Sequence, residues 1–203
     1  MFNLTEVMDF ESVKKMMLRK LKVELPAFLT YHNLSHVLDV LESAENIGRS
    51  EGVSGEDMIL LKTAALFHDS GFIKGPQNHE EASCEIAQKI LPDFGYTQHQ
   101  VDIVNGIILA TKIPQMPHNH LEDIIGDADL DYLGRDDFFS IGKGLFEELK
   151  YFGVLRTETE WNELQRNFIE AHSYHSKTSL ANRELKKQKH LKAIKAKLLK
   201  SKK

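Results

Sequence analysis

Apolar residues recur at intervals of three and four along nearly the whole chain, and this spacing constrains the fold more than any other feature. The first example lies between Thr5 and Leu21, where apolar positions share one side of a helix before Pro26 interrupts it. We find no run of alternating β-branched residues that would predict a strand. The sequence therefore predicts an all-α protein built as a bundle of helices.

Residues that favour helix ends divide the chain into segments. Asn33 is a favoured N-cap, because its side chain accepts a hydrogen bond from an otherwise unpaired backbone N–H. Asn78 and Asp136 are predicted to cap two later helices, and Gly71 is expected to end a helix in the left-handed conformation. Two pairs have the spacing of a capping box, namely Thr97 with Gln100 and Thr157 with Glu160.

The caps and the apolar spacing together predict where the helices lie. Two or three helices are expected after residue 135. The earlier predicted segments are Thr5 to Leu21, a helix from just after Asn33 to about Gly48, Glu56 to Phe67, His79 to about Leu91, Thr97 to about Lys112, and a helix that carries Asp127, Asp129 and Asp131.

Composition bounds the class of protein. With 203 residues, 41% hydrophobic and 28% charged, the chain has ordinary globular usage, and no linker divides it, so one domain is expected. The lone Cys84 cannot form an internal disulfide, which agrees with a reducing compartment. No segment resembles a membrane span or a signal peptide. We therefore expect a cytoplasmic protein without a membrane partner.

Charge is distributed unevenly. Residues 183–203 hold ten Lys and Arg and one Glu, which leaves 16 basic and 29 acidic residues in 1–182. We interpret residues 1–182 as the functional domain and 183–203 as a basic, solvated C-terminal helix or tail. Contact of this tail with nucleic acid or with an acidic partner is the less favoured alternative.

Histidines and aspartates cluster at three places. His68 and Asp69 follow a strongly apolar helix in the string AALFHDSGF. Upstream, in YHNLSHVLDV, His36 falls in the first turn of a helix, whereas His32 precedes the cap Asn33 and lies on the incoming loop. Imidazole and carboxylate groups are common ligands of divalent metals. The different positions of the two upstream histidines suggest one metal ligand and one proton donor.

The third place is the string IIGDADLDYLGR. Acidic residues at every second position of a helix cannot all share one face, so at least one must point inward. A buried carboxylate needs a cation, and a metal beside Asp129 would supply one. A salt bridge from Arg135 to Asp129 is the alternative.

A histidine, then His-Asp, then a distant aspartate resembles the pattern of the HD superfamily of metal-dependent phosphohydrolases. The strings FHDSGF, NHEEAS and DADLDYLGR resemble small bacterial proteins described as predicted metal-dependent HD phosphohydrolases. The resemblance covers roughly residues 30–135 and implies a helical HD-domain bundle. It also implies that His36, His68, Asp69 and Asp129 bind a metal.

The segment YHNLSHVLDV also resembles the corresponding segment of cyclic-nucleotide phosphodiesterases. That resemblance implies that His32 protonates the leaving oxygen and that His36 binds metal. The longer C-terminal helices that build the purine pocket of those enzymes have no recognisable counterpart here. The expected substrate is thus a small phosphorylated compound, with nucleotides among the candidates, and the oligomeric state stays open.

A second ion would need further ligands. In dinuclear members, one extra histidine follows His-Asp, and another lies near a threonine in a later helix. His79 matches the first, with a place in the exposed first turn of a helix as the alternative. Here Ala110 stands beside Thr111, so His118 or His120 would have to supply the missing ligand. If a second ion binds, Asp69 is the expected bridge.

Other residues near the motifs have predicted supporting roles. Glu80 is a candidate for orienting the catalytic water, and Lys74, Lys112 and Arg135 are candidates for contacting phosphate, with surface ion pairs as the alternative. The ligand types suit Mn, Fe, Ni, Co, Zn or Mg. The resemblance leaves two other functions open, a di-iron oxygenase of the same fold and a metal-binding regulatory module without turnover.

Overall fold

The computed structural model describes residues 8–201. The Thr5 start of the first predicted helix and the last two residues of the basic tail lie outside this range. Within it the chain is helical, with three short 3₁₀ turns and no strand, which confirms the all-α prediction. The helices are α1 (Phe10–Glu24), α2 (Leu34–Ser50), α3 (Gly55–Phe67), α4 (His79–Ile90), α5 (Gln98–Leu109), α6 (His120–Asp129), α7 (Phe138–Tyr151), α8 (Glu158–Ala171) and α9 (Lys177–Ser201).

Three predicted helix starts are confirmed in atomic detail. The side-chain oxygen of Asn33 accepts hydrogen bonds from the backbone N–H groups of Ser35 and His36, at 2.9 and 3.3 Å. Both predicted capping boxes are formed, at the starts of α5 and α8. The Asn33 cap fixes where α2 begins, and therefore places His36 in its first turn.

Three other boundary predictions are wrong. Asn78 precedes α4 but takes a left-handed backbone, φ 51°, and its side chain caps nothing. Asp136 is not the residue before α7; Asp137 is, and Asp136 pairs with Lys186 at 2.7 Å. Gly71 does not take the left-handed conformation, because the chain continues from α3 into a 3₁₀ turn over Ser70–Ile73.

Two main hydrophobic clusters hold the helices together. The larger joins α1 to α6 and includes Met17, Leu61 and Phe67, each fully buried. The second joins the end of α6 to α7, α8 and α9 around Leu133 and Phe138. The histidines and aspartates of the motifs lie where these two clusters meet. Among the residues that the model describes, no helix is both long enough and apolar enough to cross a bilayer.

The predicted boundary between domain and tail does not coincide with a break in the structure. Residues 182 and 183 lie inside α9, which is continuous. Leu191, Ile194 and Leu198 of this helix are buried in the second cluster, and Arg183 binds Asp131 through two nitrogens, at 2.7 and 3.1 Å. The basic helix is therefore solvated on one side only, and its apolar side completes the core.

Candidate metal centre

The His-Asp pair lies on a tight turn at the end of α3. His68 keeps a helical backbone and donates its N–H to the carbonyl of Ala64, and Asp69 opens the 3₁₀ turn. Ser83 of α4 fastens this turn: its hydroxyl donates to the carbonyl of His68 at 2.7 Å and accepts from the N–H of Gly71 at 2.8 Å. The pair is thus fixed against α4.

Gly71 is required here by space rather than by backbone angle. A Cβ atom at this position would lie 1.9 Å from the carbonyl oxygen of His79. The turn after His-Asp and the start of α4 therefore touch backbone to backbone. This close contact brings His79 beside Asp69.

The four predicted ligands come together from three elements, which are α2, the turn at the end of α3 and α6. His36 comes from the first turn of α2, and Asp129 is the last residue of α6. The Nε2 atom of His36 lies 3.1 Å from Oδ1 of Asp129, 3.4 Å from Oδ2 of Asp69 and 3.4 Å from Nε2 of His68. The Nε2 atom of His68 lies 3.2 Å from Asp69 and 3.7 Å from Asp129.

The donor set fits a metal ion. His36, His68 and Asp69 each offer a ligand atom, and these three atoms lie within 4.8 Å of one another. Oδ2 of Asp69 is buried and has no hydrogen-bond partner among the described residues, although both Nε2 atoms are near it. A buried carboxylate oxygen without a donor is costly, and a divalent cation at this point would satisfy it.

The orientation of His68 supports this interpretation. Its Nδ1 lies 2.8 Å from the carbonyl oxygen of Ala65, so Nδ1 carries a proton and Nε2 is the ring nitrogen that faces Asp69. A metal ion between Nε2 and the Asp69 carboxylate would bind both groups, and in its absence a proton on the ring is favoured instead. Burial opposes protonation, yet the charges of Asp69 and Asp129 raise the pKa of His68 to about 9 in the metal-free chain.

The alternating aspartates have three different partners. Asp127 accepts hydrogen bonds from the backbone of His175 and Ser176, at 2.9 and 2.8 Å, and so anchors the start of α9. Asp131 binds Arg183. Only Asp129, between them, faces the histidines. The salt bridge from Arg135 to Asp129 that was the alternative is not formed, because Arg135 binds other carboxylates.

His32 is held by a buried carboxylate that the sequence analysis missed. The Nδ1–H group of His32 donates to Oε1 of Glu148 at 2.5 Å, and Oε2 of Glu148 accepts from the backbone N–H groups of Tyr31 and His32, at 2.9 and 3.1 Å. The His32 ring stacks on Phe72, with ring centroids 4.1 Å apart. Burial lowers the pKa of His32, but the hydrogen bond to Glu148 and the charge of Asp69 outweigh it, so the pKa lies above its ordinary value.

One signal in the sequence could have identified Glu148. Ile141, Leu145 and Glu148 are spaced by four and three residues, so the carboxylate continues an apolar stripe of α7. A charged residue on such a stripe must find a buried partner. Nothing in the sequence pairs it with His32, which is 116 residues away.

His79 and Glu80 lie at the edge of the centre. The Nε2 atom of His79 is 3.5 Å from Oδ1 of Asp69. The other oxygen of this carboxylate, Oδ2, is the one near His68. Glu80 is buried, with Oε1 3.5 Å from the same Nε2 atom. Both line a cavity that also includes His32, Asp69 and Asp129.

The ligand expected near Ala110 is not supplied by the neighbouring loop. Thr111 lines the cavity, and its hydroxyl donates to the carbonyl of Ile108. His120 is half exposed, with its Nε2 3.9 Å from Glu51, and His118 does not line the cavity. A second ion would thus have His79 and Asp69 as its nearest predicted ligands.

The three predicted phosphate-binding cations lie outside the cavity. Lys74 is exposed and pairs with Glu85 at 2.6 Å, and Lys112 pairs with Glu81. Arg135 is held by carboxylates of the adjacent surface, with its shortest contact, 2.7 Å, to Asp39. The structure does not bring these cations to the centre.

The cavity beside the centre has a volume of about 180 Å³ and a strongly apolar far end. The metal end carries the carboxylates and histidines already described. The far end is formed by side chains from the end of α6, the following turn, α7 and α8. Six of them, called the apolar chamber below, are Leu130, Leu133, Phe138, Leu145, Phe168 and Ile169.

Comparison with known proteins agrees with this geometry. A family model described as HD domain matches residues 33–130. Over 97 residues the chain is 33% identical to an uncharacterized protein of Clostridium beijerinckii, a match that covers 46% of this chain and 61% of that relative. The chain thus spans less than two thirds of the relative's length.

A solved structure shares the fold. The crystal structure of a predicted HD superfamily hydrolase from an uncultured Thermotogales bacterium aligns with a TM-score of 0.54. The sequences are 23% identical, and the alignment covers 76% of this chain and 86% of that one. The matched family model ends one residue after Asp129, so it contains all four residues of the proposed metal site.

Proposed function

We propose that the chain is a member of the HD superfamily and, from this family match and the site geometry, that it is a metal-dependent hydrolase of a phosphate ester. One observation carries the proposal: two histidine nitrogens and a buried carboxylate oxygen without a hydrogen-bond donor converge on one point. His36, His68, Asp69 and Asp129 would hold the ion. The ligand types favour Mn, Fe, Ni, Co, Zn or Mg.

A divalent ion held by these residues would activate water near neutral pH and neutralise charge on the phosphoryl oxygens. Open positions on the ion are expected toward the cavity, which Asp69, Asp129 and His79 all line. Glu80, buried beside His79, is positioned to accept a hydrogen bond from the attacking water. His79 and Asp69 are the residues that would hold a second ion.

His32 is proposed to donate the proton that the leaving oxygen needs. Its Nδ1–H is engaged by Glu148, so in the protonated ring Nε2–H is the group left free to donate. Glu148 favours the protonated ring and keeps its orientation. Hydrolysis then yields the free alcohol and a phosphate, with the proton of His32 on the alcohol.

The oxygenase alternative has less support. It requires two irons, and the position that would provide the sixth ligand carries Ala110, while neither His118 nor His120 lines the cavity. Substrate-dependent oxygen uptake with two irons per chain would favour it. A regulatory module without turnover is the other alternative, and the His32–Glu148 pair, which is arranged to donate a proton, argues against it.

The proposal is tested with the purified full chain, loaded separately with Mn, Ni, Co, Zn or Mg, against mono- and diesters of phosphate. We expect hydrolysis with at least one metal. His32→Gln should slow turnover and leave metal content unchanged, whereas His99→Gln, at an exposed position, should change neither. No hydrolysis with any metal, despite full metal binding, would favour the regulatory module.

A further inference from the structure

The far end of the cavity provides information about the substrate. It contains the apolar chamber together with Trp161 and Leu164 of α8, and one neutral amide, Gln165. Among the described residues, no Lys or Arg lines any part of the cavity. The organic group of a substrate bound at the metal would therefore contact hydrocarbon and aromatic surface.

The charges near the cavity also limit what can bind. Asp69, Glu80 and Asp129 line its metal end, and Glu148 lies behind His32. The nearest cations of the motif regions, Lys74, Lys112 and Arg135, are already paired outside it. One phosphoryl group can be neutralised at the metal, but further phosphates would lie in an apolar chamber without a cation.

The size of the cavity suits a single ring or a compact alkyl group. A cavity of roughly 150 Å³ lined by Leu, Ile and Phe is sufficient for benzene. The whole cavity here measures about 180 Å³, including the metal end that a phosphoryl group would occupy, so the apolar end has room for one ring at most. Apolar lining with a few convergent polar groups at one end is the usual design of a small-molecule site.

We propose that the substrate is a phosphate monoester of an apolar alcohol, with an aryl or branched alkyl group in the apolar chamber, and that polyphosphates are excluded. This inference rests on the proposed function. It extends that function by naming the part of the substrate that the chain recognises.

The test compares two esters with chemically similar leaving groups. Benzyl phosphate and glycerol 1-phosphate are both esters of primary alcohols, so a difference between them reports recognition of the organic group. With Mn-loaded protein we expect kcat/KM for benzyl phosphate to be higher by about tenfold or more, mainly through KM. AMP and ATP should be poorer substrates than benzyl phosphate.

A lysine introduced beside the apolar chamber tests its role, and a lysine at an exposed position outside the cavity is the matched control. Leu164 lines the cavity and is 38% exposed, so a lysine is tolerable there, and Leu180, 45% exposed on α9, lines none of the cavities described. Leu164→Lys should reduce the preference for benzyl phosphate by about tenfold through KM. Leu180→Lys should leave the preference unchanged.

Binding can be measured without turnover, because Trp161 lines the cavity and is the only tryptophan of the chain. Benzylphosphonate, which is not hydrolysed, should change the emission of Trp161 in Mn-loaded protein, and more weakly in Leu164→Lys. A change in Trp161 emission without hydrolysis of any ester would support binding of the organic group in the apolar chamber and contradict the proposed reaction. Hydrolysis that favours glycerol 1-phosphate, AMP or ATP would overturn the inference and leave the reaction standing, and an unchanged emission with benzylphosphonate would overturn it as well.

Discussion

Oε1 of Glu148 lies 2.5 Å from Nδ1 of His32, while the second oxygen of the same carboxylate binds the backbone of Tyr31 and His32. One buried side chain of α7 therefore holds the loop before α2 and raises the pKa of the histidine on it. The helices after the HD-domain match thus contribute to the chemistry of the site.

The first prediction concerns Glu148→Gln. The amide can still accept from the backbone N–H groups, but it no longer favours the protonated His32 ring, so kcat/KM should fall by about 10- to 100-fold. Because the carboxylate raises the pKa of His32, its loss lowers that pKa, and the alkaline limb of the pH profile should move to lower pH. Glu147→Gln, at the exposed neighbouring position, is the control. An unshifted alkaline limb in Glu148→Gln would contradict the assignment.

The second prediction concerns the backbone contact at Gly71. In Gly71→Ala the new methyl group meets the carbonyl oxygen of His79, so the free energy of unfolding should fall by about 1–3 kcal/mol. Metal affinity should fall as well, because the turn carrying His68 and Asp69 must shift away from α4. Denaturant titration and metal titration measure the two effects.

Gly106→Ala is the matched control for this prediction. Gly106 lies inside α5, and its added methyl group would be 3.5 Å from the nearest atom, Oε1 of Glu122. Stability should be unchanged or higher by up to about 1 kcal/mol, since alanine is the better helix former. Equal stability of the two variants would show that the contact between the turn and α4 can relax.

The third prediction concerns truncation after residue 182. Removing most of α9 deletes Leu191, Ile194 and Leu198 from the second cluster, each worth roughly 1.5–3 kcal/mol of burial, and breaks the pair of Arg183 with Asp131. The thermal unfolding midpoint should fall markedly and hydrolysis should be lost, because the same cluster supplies part of the apolar chamber.

The control for truncation removes charge without removing the helix. Lys189 and Lys192 are exposed on α9, so the double substitution Lys189→Gln and Lys192→Gln should leave stability and hydrolysis near wild type. A truncated chain with unchanged midpoint and activity would restore the interpretation of 183–203 as a dispensable tail.

The fourth prediction concerns acid stability and His172. Burial and the charges of Lys187 and His175 lower the pKa of His172 to about 4. In the unfolded chain His172 has an ordinary pKa near 6.5, so between pH 4 and pH 6.5 the unfolded chain binds more protons than the folded chain. The contribution of His172 to stability is therefore present above about pH 6.5 and is lost as the pH falls toward 4. His172→Gln should flatten the pH dependence of the free energy of unfolding in this window. An exposed control, His99→Gln, should retain the wild-type slope.

Much of the fold was predictable because its signals are local. The spacing of apolar residues, the Asn33 cap and the two capping boxes depend on residues within a few positions of each other, and the structure confirms them. The structure also brings the four predicted ligands together. The failure at Gly71 has a non-local cause, because this glycine is needed for the close backbone contact with His79 and not for a left-handed helix end.

The rest of the site depends on long-range packing. No local pattern links Glu148 to His32, or Asp131 to Arg183. The regular spacing of Asp127, Asp129 and Asp131 predicted at least one inward carboxylate but not its partner, and the structure gives each aspartate its own buried or partly buried partner. The basic composition of residues 183–203 concealed an apolar face, since three buried side chains anchor a helix whose other positions are mostly charged or polar.

The most direct test of the metal centre measures metal content and hydrolysis together in Asp69→Ala and in the isosteric Asp69→Asn. Wild type and the exposed control Asp57→Asn should retain at least one divalent ion per chain after loading and dialysis, and should hydrolyse a phosphate ester. Both Asp69 variants should stay folded, retain no ion and show no hydrolysis, because the carboxylate at the centre is lost. An Asp69→Asn protein with wild-type metal content and wild-type hydrolysis would contradict the assignment of this site.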